Sequence, residues 1–297
     1  MKILLFGQTG QVGWELQRSL SPLGSLVVFG RDQADFSDPL GLATCIGVER
    51  PDVIVNAVAH TAVDKAEAEP DLAIRINTEA PRALAHAAAD TGALLVHYST
   101  DYVFDGTRTL AYSEDDETHP QSVYGRSKRD GEDAIRASGA KHLIFRTSWV
   151  HAPRGKNFVK TMLRLARERD KLTVVADQYG APTGAELIAD VTALAIRAVE
   201  AGSMAHGTYH LTAAGRASWH DFACFIIGEA RAAGIETKTT PEAIEAIATA
   251  AYPTPAKRPT NSVLSSAKLE RALGITMPDW RHHARRTVRE LLENQGP

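Results

Sequence analysis

The sequence predicts an α/β protein: a doubly wound, mostly parallel sheet over residues 1–150 and a smaller, mainly ligand-binding lobe over 151–297. Three observations carry that expectation. Short apolar runs alternate with helical periodicity through the first half, and the runs are apolar on every residue, as in strands covered on both faces. A glycine-bearing turn joins the first strand to the first helix. Past residue 150 the rhythm changes to longer helices and a Pro-rich stretch.

In chain order, Lys2–Phe6 reads as a strand, and the following helix has apolar positions that include Val12, Leu16 and Leu20. Ser25–Phe29 is the second strand after the turn Pro22–Gly24. A helical segment through Ala43–Val48 leads to a third strand, Asp52–Val58. Helix Ile74–Asp90 stops before Gly92, where a glycine suits the residue past a helix end. Ala93–Tyr98 is the next strand, Asp105–Pro120 a long loop, Val123–Ala137 a helix and His142–Arg146 a strand. The boundary falls near Trp149–Gly155. Beyond it come helix Phe158–Arg169, strand Leu172–Ala176, helix Leu187–Glu200, strand Gly207–Leu211 and helix Trp219–Ala233, with segments inside 172–210 expected to return to the first lobe. Ala243–Ala251 reads as an Ala-rich helix, and Tyr252–Pro259 as a Pro-stiffened connection.

Composition narrows the class of ligand. The 297 residues carry 33 Lys plus Arg against 36 Asp plus Glu, and a net charge of -3 gives no electrostatic case for a nucleic-acid or anionic-membrane partner. Cys45 and Cys224 are far apart and lack metal-ligand spacing, which argues against a disulfide framework or a zinc site. The apolar run Ile3–Phe6 is too short for a signal peptide, and no stretch reaches the roughly 18 apolar residues of a membrane helix. A small-molecule ligand and a cytoplasmic setting are expected.

The glycine turn Gly7-Gln8-Thr9-Gly10-Gln11-Val12-Gly13 supplies the first chemistry. Between a strand and a helix, Gly7 permits the tight turn, Gly10 lets the backbone approach a pyrophosphate, and Gly13 lets helix and strand pack closely, with the helix N-terminus attracting the anion. This is the fingerprint of a dinucleotide-binding Rossmann sheet. After the second strand, Gly30-Arg31-Asp32 displaces the acid that many NAD binders use for the ribose hydroxyls. Arg31 can pair with a 2′-phosphate, which favours NADPH over NADH. Asp35-Phe36 marks the adenine side, and the small-residue turn through Ala59, His60 and Thr61 leaves room for a cofactor backbone. Read alone, His60 is a structural hydrogen-bonding residue.

A second motif, Tyr124-Gly125-Arg126-Ser127-Lys128, places phenol and ammonium on one helical face. A phenol with an ordinary pKa of about 10 is protonated at neutral pH and can donate, and a nearby ammonium eases its passage through phenolate. Tyr98-Ser99-Thr100-Asp101 ends a strand where open α/β sheets place their ligand crevice, so the Thr100 hydroxyl can anchor a substrate carbonyl beside Tyr124. Ser99 and Asp101 compete for that role, or cap the strand end.

These motifs, with LLFGQTGQVGWELQ at 4–17, VNAVAHTAVDKAE at 55–67, HYSTDYVF at 97–104, HLIFRTSWV at 142–150, DQYGAPTGAEL at 177–187 and YPTPAKRPTNS at 252–262, closely resemble the dTDP-4-dehydrorhamnose reductases of the extended short-chain dehydrogenase superfamily. The resemblance spans nearly the whole chain. It implies reduction of the C4 ketone of dTDP-4-dehydro-L-rhamnose to dTDP-L-rhamnose by NAD(P)H, with Tyr124, Lys128 and Thr100 at catalytic positions. It implies cofactor positions at Gly10, Gln11, Val12, Asp35, Phe36, Ala59, His60, Thr61 and Tyr98, with Tyr124 and Lys128 also reaching the cofactor. Asp101 and Trp149 match positions that touch the sugar nucleotide. Gly30 stands where some members have Asp, which leaves the cofactor preference open.

For such a substrate, Arg258 in the Pro-rigidified stretch offers a cation to the pyrophosphate, with Asn261 nearby, while Asn157-Phe158 and Gln178–Thr183 complete the pocket. Members can form metal-linked homodimers through glutamates, and Glu15 with Glu290 matches that pattern, implying Mg²⁺ at a dimer interface. Two rival functions stay on the table. One is another sugar-nucleotide epimerase or dehydratase of the superfamily. The other is a non-catalytic regulatory subunit, since that of methionine adenosyltransferase is similar to these reductases.

Overall fold

Ile3–Phe6 is buried on every side chain, and the computed structural model, which describes residues 1–293, shows why. This strand, β1 (Lys2–Phe6), lies inside a six-stranded sheet. From it the chain runs through α1 (Gln11–Leu20), β2 (Ser25–Phe29), α2 (Pro39–Glu49), β3 (Val53–Asn56), α3 (Val63–Ala68), α4 (Pro70–Ile74), α5 (Ala80–Thr91), β4 (Leu94–Thr100), α6 (Val123–Ala137) and β5 (His142–Thr147). It continues as β6 (Val150–His151), α7 (Phe158–Glu168), β7 (Leu172–Val175), β8 (Tyr179–Gly180), β9 (Thr183–Gly184), α8 (Ala185–Glu200) and β10 (Gly207–His210). The last elements are β11 (Ala217–Ser218), α9 (Trp219–Ala232), β12 (Ile244–Ile247), α10 (Ala267–Leu273) and α11 (Trp280–Glu293).

The sheet order is β10-β5-β4-β3-β1-β2, with every pairing parallel. Strand order turns back between β1 and β3, and a ligand crevice opens outside the strand ends at such a point. Pairing aligns the C-terminal ends: Phe6 lies beside Asn56, Asn56 beside His97, and Thr100 beside Thr147. The outer strand β10 comes from beyond the expected boundary and pairs with β5, while α8 packs on α1. One apolar core cluster joins Ile3 and Leu143 of the sheet to Phe222 and Trp280 of the C-terminal lobe, so the two lobes share a core.

Two elements differ from expectation for identifiable reasons. Ala243–Ala251 is not a helix: Ile244–Ile247 forms a strand paired in parallel with β7, burying Ile244, and a short 3₁₀ turn follows at Thr249–Ala251. Ladder hydrogen bonds and burial override the helix propensity of alanine here. The helix expected at Ile74–Asp90 starts earlier, at Pro70, and contains a π-helical turn, Arg75–Glu79. That turn aims Asn77 inward, where its Oδ1 accepts from the His60 N–H (2.8 Å) and its Nδ2 donates to the Ser127 Oγ (3.0 Å). A π turn at a functional position is a recurrent device.

Candidate active site

The glycine turn has the backbone its sequence demands. Gly7 has φ +96°, a left-handed value that a side chain would strain. A Cβ on Gly13 would fall on the Gly7 carbonyl oxygen, so only glycine lets α1 approach β1 this closely. Gly10 caps α1 without a side-chain acceptor, which leaves first-turn N–H groups available to an anion. Beside this turn is a cavity of about 610 Å³ bordered by Arg31, Asp35, Phe36, His60 and Thr61. It shares Gly10, Ala57, Ala59 and Thr61 with a second cavity of about 500 Å³ that is lined by Thr100, Tyr124 and Lys128. The two form one trough, of a size and shape to take a dinucleotide with its phosphates at the glycine turn.

At the first end, Arg31 and Asp35 are exposed, whereas Phe36 is buried with its ring edge-on to Phe6 at 5.5 Å. The Ser37 N–H donates to Asp35 Oδ1 (2.8 Å); with the Ser37 side chain and the charge of Arg31 it holds the Asp35 carboxyl below its usual range. Gly30 has a local reason. A Cβ there would meet the tip of the Gln8 side-chain amide, so a side chain at this position requires Gln8 to swing aside.

The second end is built from strand ends and one helix. Ser122 caps α6 by accepting the Gly125 N–H (3.1 Å), which fixes Tyr124 in the first turn with Lys128 one turn on. Tyr124 packs edge-on against Tyr102 at 5.6 Å. Burial pushes its phenol up to about 12, although the Thr100 hydroxyl beside it pulls the other way and the charge of Asp101 adds to the rise. Thr100 ends β4, where its hydroxyl donates to Asp101 Oδ1 (3.0 Å) and accepts from the Tyr102 N–H (3.2 Å). Burial raises the Asp101 carboxyl to about 6 against its hydrogen bonds, and Asp101 Oδ2 is buried without a partner.

Lys128 is as buried as any core residue, at 1% exposure. Its Nζ donates to the Tyr98 carbonyl (2.6 Å) and lies 3.0 Å from His97 Nε2. Burial lowers the ammonium to about 7, with the charge of Glu132 acting against that shift. The expected direct ammonium field on Tyr124 is thus not what Lys128 contacts in this structure. Tyr98 lines the same cavity, and its hydroxyl is hydrogen-bonded to Thr192 (2.8 Å).

The C-terminal lobe closes the trough. Trp149 has φ +48° and lies flat on Trp219, with ring centroids 3.5 Å apart and planes 6° from parallel. Gly180 also lies against it, where a Cβ would meet the indole nitrogen at 2.6 Å. Arg258 Nη2 donates to Asp64 Oδ2 (2.8 Å), and its Nη1 is buried without a partner. Asn157 is not among the lining residues. It caps α7 by accepting the Lys160 N–H (3.1 Å) and donates to Gln11 Oε1 (2.8 Å), so it ties the second lobe to the glycine turn.

Within one chain, the expected pair Glu15 and Glu290 does not by itself make up a metal site. Among the described residues no group of three or more His, Cys, Asp or Glu side chains could hold a metal. Glu15 and Glu290 both lie near enough to Glu186 to raise its carboxyl, after the larger effect of burial, but Arg18 pairs with Glu15 and Arg286 with Glu186. A guanidinium group thus already sits beside Glu15 and beside Glu186. No helix among the described residues is long and apolar enough to cross a membrane.

Sequence reasoning missed Tyr102, Trp219, His97 and Asn56. Tyr102 and Trp219 line the cavity, and His97 and Asn56 support Lys128 from below. A signal existed for His97, a lone polar ring in the otherwise apolar start of β4. None existed for Trp219, whose role comes from its stack on a residue 70 positions away.

A parallel doubly wound sheet, a glycine turn opening on its switch point and Thr100, Tyr124 and Lys128 at the far end of the trough define a Rossmann-type oxidoreductase of the short-chain dehydrogenase class. The sequence model of the RmlD substrate binding domain matches residues 1–293, and the chain belongs to that family. A dTDP-4-dehydrorhamnose reductase of Salmonella typhimurium is 53% identical over 98% of each chain. The crystal structure of a dTDP-4-dehydrorhamnose reductase from Clostridium acetobutylicum superimposes with a TM-score of 0.89 at 38% identity, covering 98% of this chain and 100% of that one. The Bacillus anthracis dTDP-4-dehydrorhamnose reductase, solved in complex with NADP, gives 0.87 at 34% identity over 97% of this chain and 99% of that one.

Proposed function

We propose that this protein reduces the C4 ketone of dTDP-4-dehydro-L-rhamnose to dTDP-L-rhamnose, with NADPH as the preferred reductant and Tyr124 as the proton donor. The observation that carries this reading is the single trough, glycine turn at one end and Thr100, Tyr124 and Lys128 at the other, in a chain 53% identical to a reductase of that name.

Gly7, Gly10, Gln11, Val12 and Gly13 would hold the cofactor pyrophosphate, and Arg31 its 2′-phosphate, with Asp35, Phe36, Ala59, His60, Thr61 and Tyr98 along its length. When bound, the reduced nicotinamide supplies the hydride that adds to C4. The Tyr124 hydroxyl gives its proton to the O4 oxygen as negative charge develops there, and the Thr100 hydroxyl holds that oxygen in place. Lys128 holds the nicotinamide ribose and restores charge balance beside the phenolate. Asp101 and Trp149 meet the sugar, and the unpartnered Nη1 of Arg258 is a donor for the substrate pyrophosphate.

The NADPH preference rests on Arg31 at the cavity rim and on Gly30, which presents no acid that would favour NADH. The protein is read as cytoplasmic and as a homodimer, the latter through the face where α1 and α8 expose Trp14 and Leu194; sedimentation equilibrium tests it. The activity is tested by following the loss of NADPH and NADH absorbance with dTDP-4-dehydro-L-rhamnose, using the UDP-linked analogue as control. Stoichiometric NADPH consumption is expected. Turnover without net consumption means an epimerase or dehydratase, and no turnover together with a co-purifying enzyme means a regulatory subunit.

A further inference from the structure

Beneath the proton-transfer pair runs a hydrogen-bond chain with a fixed direction. It begins at the backbone: the Val58 N–H donates to Asn56 Oδ1 (2.9 Å). That bond sets the amide, because a flipped Asn56 would set its NH₂ against the Val58 N–H. Asn56 Nδ2 therefore faces His97 Nδ1 (3.1 Å) as a donor, and Nδ1 must carry the lone pair. His97 is buried at 1% exposure, and burial holds its ring pKa far below the usual value. A neutral ring with Nδ1 unprotonated carries its hydrogen on Nε2. Nε2 is the atom 3.0 Å from Lys128 Nζ.

An ammonium has three donors and no lone pair, whereas an amine has one lone pair. An N–H aimed at Nζ is satisfied by the amine and opposed by the ammonium. The second contact of Lys128, donation to the Tyr98 carbonyl (2.6 Å), suits either form. We infer that His97, oriented by Asn56, is a positioning residue that presents its Nε2–H to Lys128 and parks it as a neutral amine until the cofactor binds. Cofactor binding then brings ribose hydroxyls and phosphate charge into the trough. Lys128 takes one proton from solvent, becomes ammonium and exchanges His97 for the ribose and Tyr124.

The other groups around Lys128 do not supply this effect. On its own helix, Glu132 acts in the opposite direction, and its charge is shared with Arg146 of β5 and with Arg136. Tyr124, one turn earlier, is a neutral phenol. The π-helical turn meets α6 through the uncharged Asn77 and Thr78, and α3 contributes Glu67, whose Oε1 accepts from Val123 N at the helix start. From β4 the facing group is His97 itself. A lysine that titrates near neutrality is in keeping with this surround.

The inference rests on the proposed placement of the cofactor at Lys128 but is tested apart from turnover. In the free protein labelled with ¹⁵N-histidine, long-range ¹H–¹⁵N correlation reads the tautomer of each ring, and the His97 signals are those missing from His97→Gln. An Nε2–H ring that does not titrate between about pH 5.5 and 8 is expected, against an exposed histidine's pKa of about 6.5. An Nδ1–H ring overturns the inference. This measurement needs only the wild-type fold.

The second arm is calorimetry of NADH and NADPH binding at about pH 8, where the 2′-phosphate no longer titrates, in buffers of different ionisation enthalpy. Uptake approaching one proton is expected with either cofactor. Asn56→Asp keeps the Val58 contact but accepts from Nδ1–H, which turns the Nε2 lone pair toward Lys128 and pre-loads the ammonium. Its proton uptake should fall to about zero. Uptake absent in the wild type, or unchanged in Asn56→Asp, overturns the inference. Failure to reduce the ketosugar would instead overturn the proposed function and leave the tautomer and the proton count as they are.

Discussion

Glu132 is the place where one atom's change should reach both stability and the site. Its carboxylate is fully buried and accepts from Arg146 Nε at 2.9 and 3.2 Å, from Arg146 Nη2 at 2.7 Å and from Arg136 Nη1 at 3.1 Å. Glu132→Gln keeps the shape, removes the charge and leaves the Arg146 guanidinium buried beneath Phe104 without a counter-ion. Removing one partner of a buried pair costs about 3–5 kcal/mol. Arg136 is partly exposed and finds water, so it adds little to that cost. At about 2 °C per kcal/mol for a chain of this size, the thermal midpoint should fall by about 6–10 °C.

Differential scanning calorimetry measures this, and the pH dependence supplies an internal check. Burial raises the Glu132 carboxyl, but Arg146 and Arg136 outweigh burial and leave it below its ordinary 4.5. A depressed folded pKa stabilises above the unfolded value, and that stability is lost as pH falls through the folded one. The gap between variant and wild type should therefore be full at neutral pH, begin to narrow as pH falls below the ordinary 4.5, and close only once pH has passed below the depressed folded value. A fall of under about 2 °C at neutral pH would refute the claim that this pair is a tightly coupled buried unit. The double variant Glu132→Leu with Arg146→Met, which removes both charges, should recover much of the loss.

Three further outcomes follow from the site. Tyr124→Phe should lower kcat by about 10²–10⁴-fold, the range for a lost general acid, while isothermal titration gives an unchanged NADPH Kd; near-normal turnover would remove Tyr124 from its assigned role. Asp101 has a folded pKa of about 6 against an ordinary 3.8, so folding holds its proton more tightly and stability falls as pH rises from 3.8 to 6. Asp101→Asn should thus gain roughly 2–3 kcal/mol in urea unfolding at pH 7, little at pH 4, and bind the sugar nucleotide less well. Arg31→Ala should cut kcat/KM for NADPH by about tenfold or more, with NADH changed by less than about twofold.

Most of the sheet was legible because buried parallel strands write themselves as unbroken apolar runs, as Ile3–Phe6 and Val53–Val55 do. The trough was legible where a motif is local: Gly7 to Gly13 around one turn, Tyr124 and Lys128 on one helical face. It was illegible where a role depends on distant partners. Nothing near Trp149 announces its stack on Trp219, and nothing near Asn157 announces its bond to Gln11. Ala243–Ala251 misled because alanine favours helix, while pairing with β7 decided the matter. Lys128 was legible as a partner of Tyr124, yet the contacts it makes come from β4, which no spacing within α6 could disclose.

The strand order bears on how the chain comes to life on the ribosome. When β5 emerges, its outer edge has no neighbour, and the strand that covers it, Gly207–His210, follows only after five further helical or strand segments and the whole of α8. An uncovered parallel edge is an invitation to pair with another chain. Arg258 and its anchor to Asp64 arrive later still. A truncated product ending before residue 207 would carry the glycine turn and the Tyr124-Lys128 motif in its sequence but lack both the cover of β5 and the part of the shared core around Phe222 and Trp280, and aggregation rather than mere inactivity is expected of it.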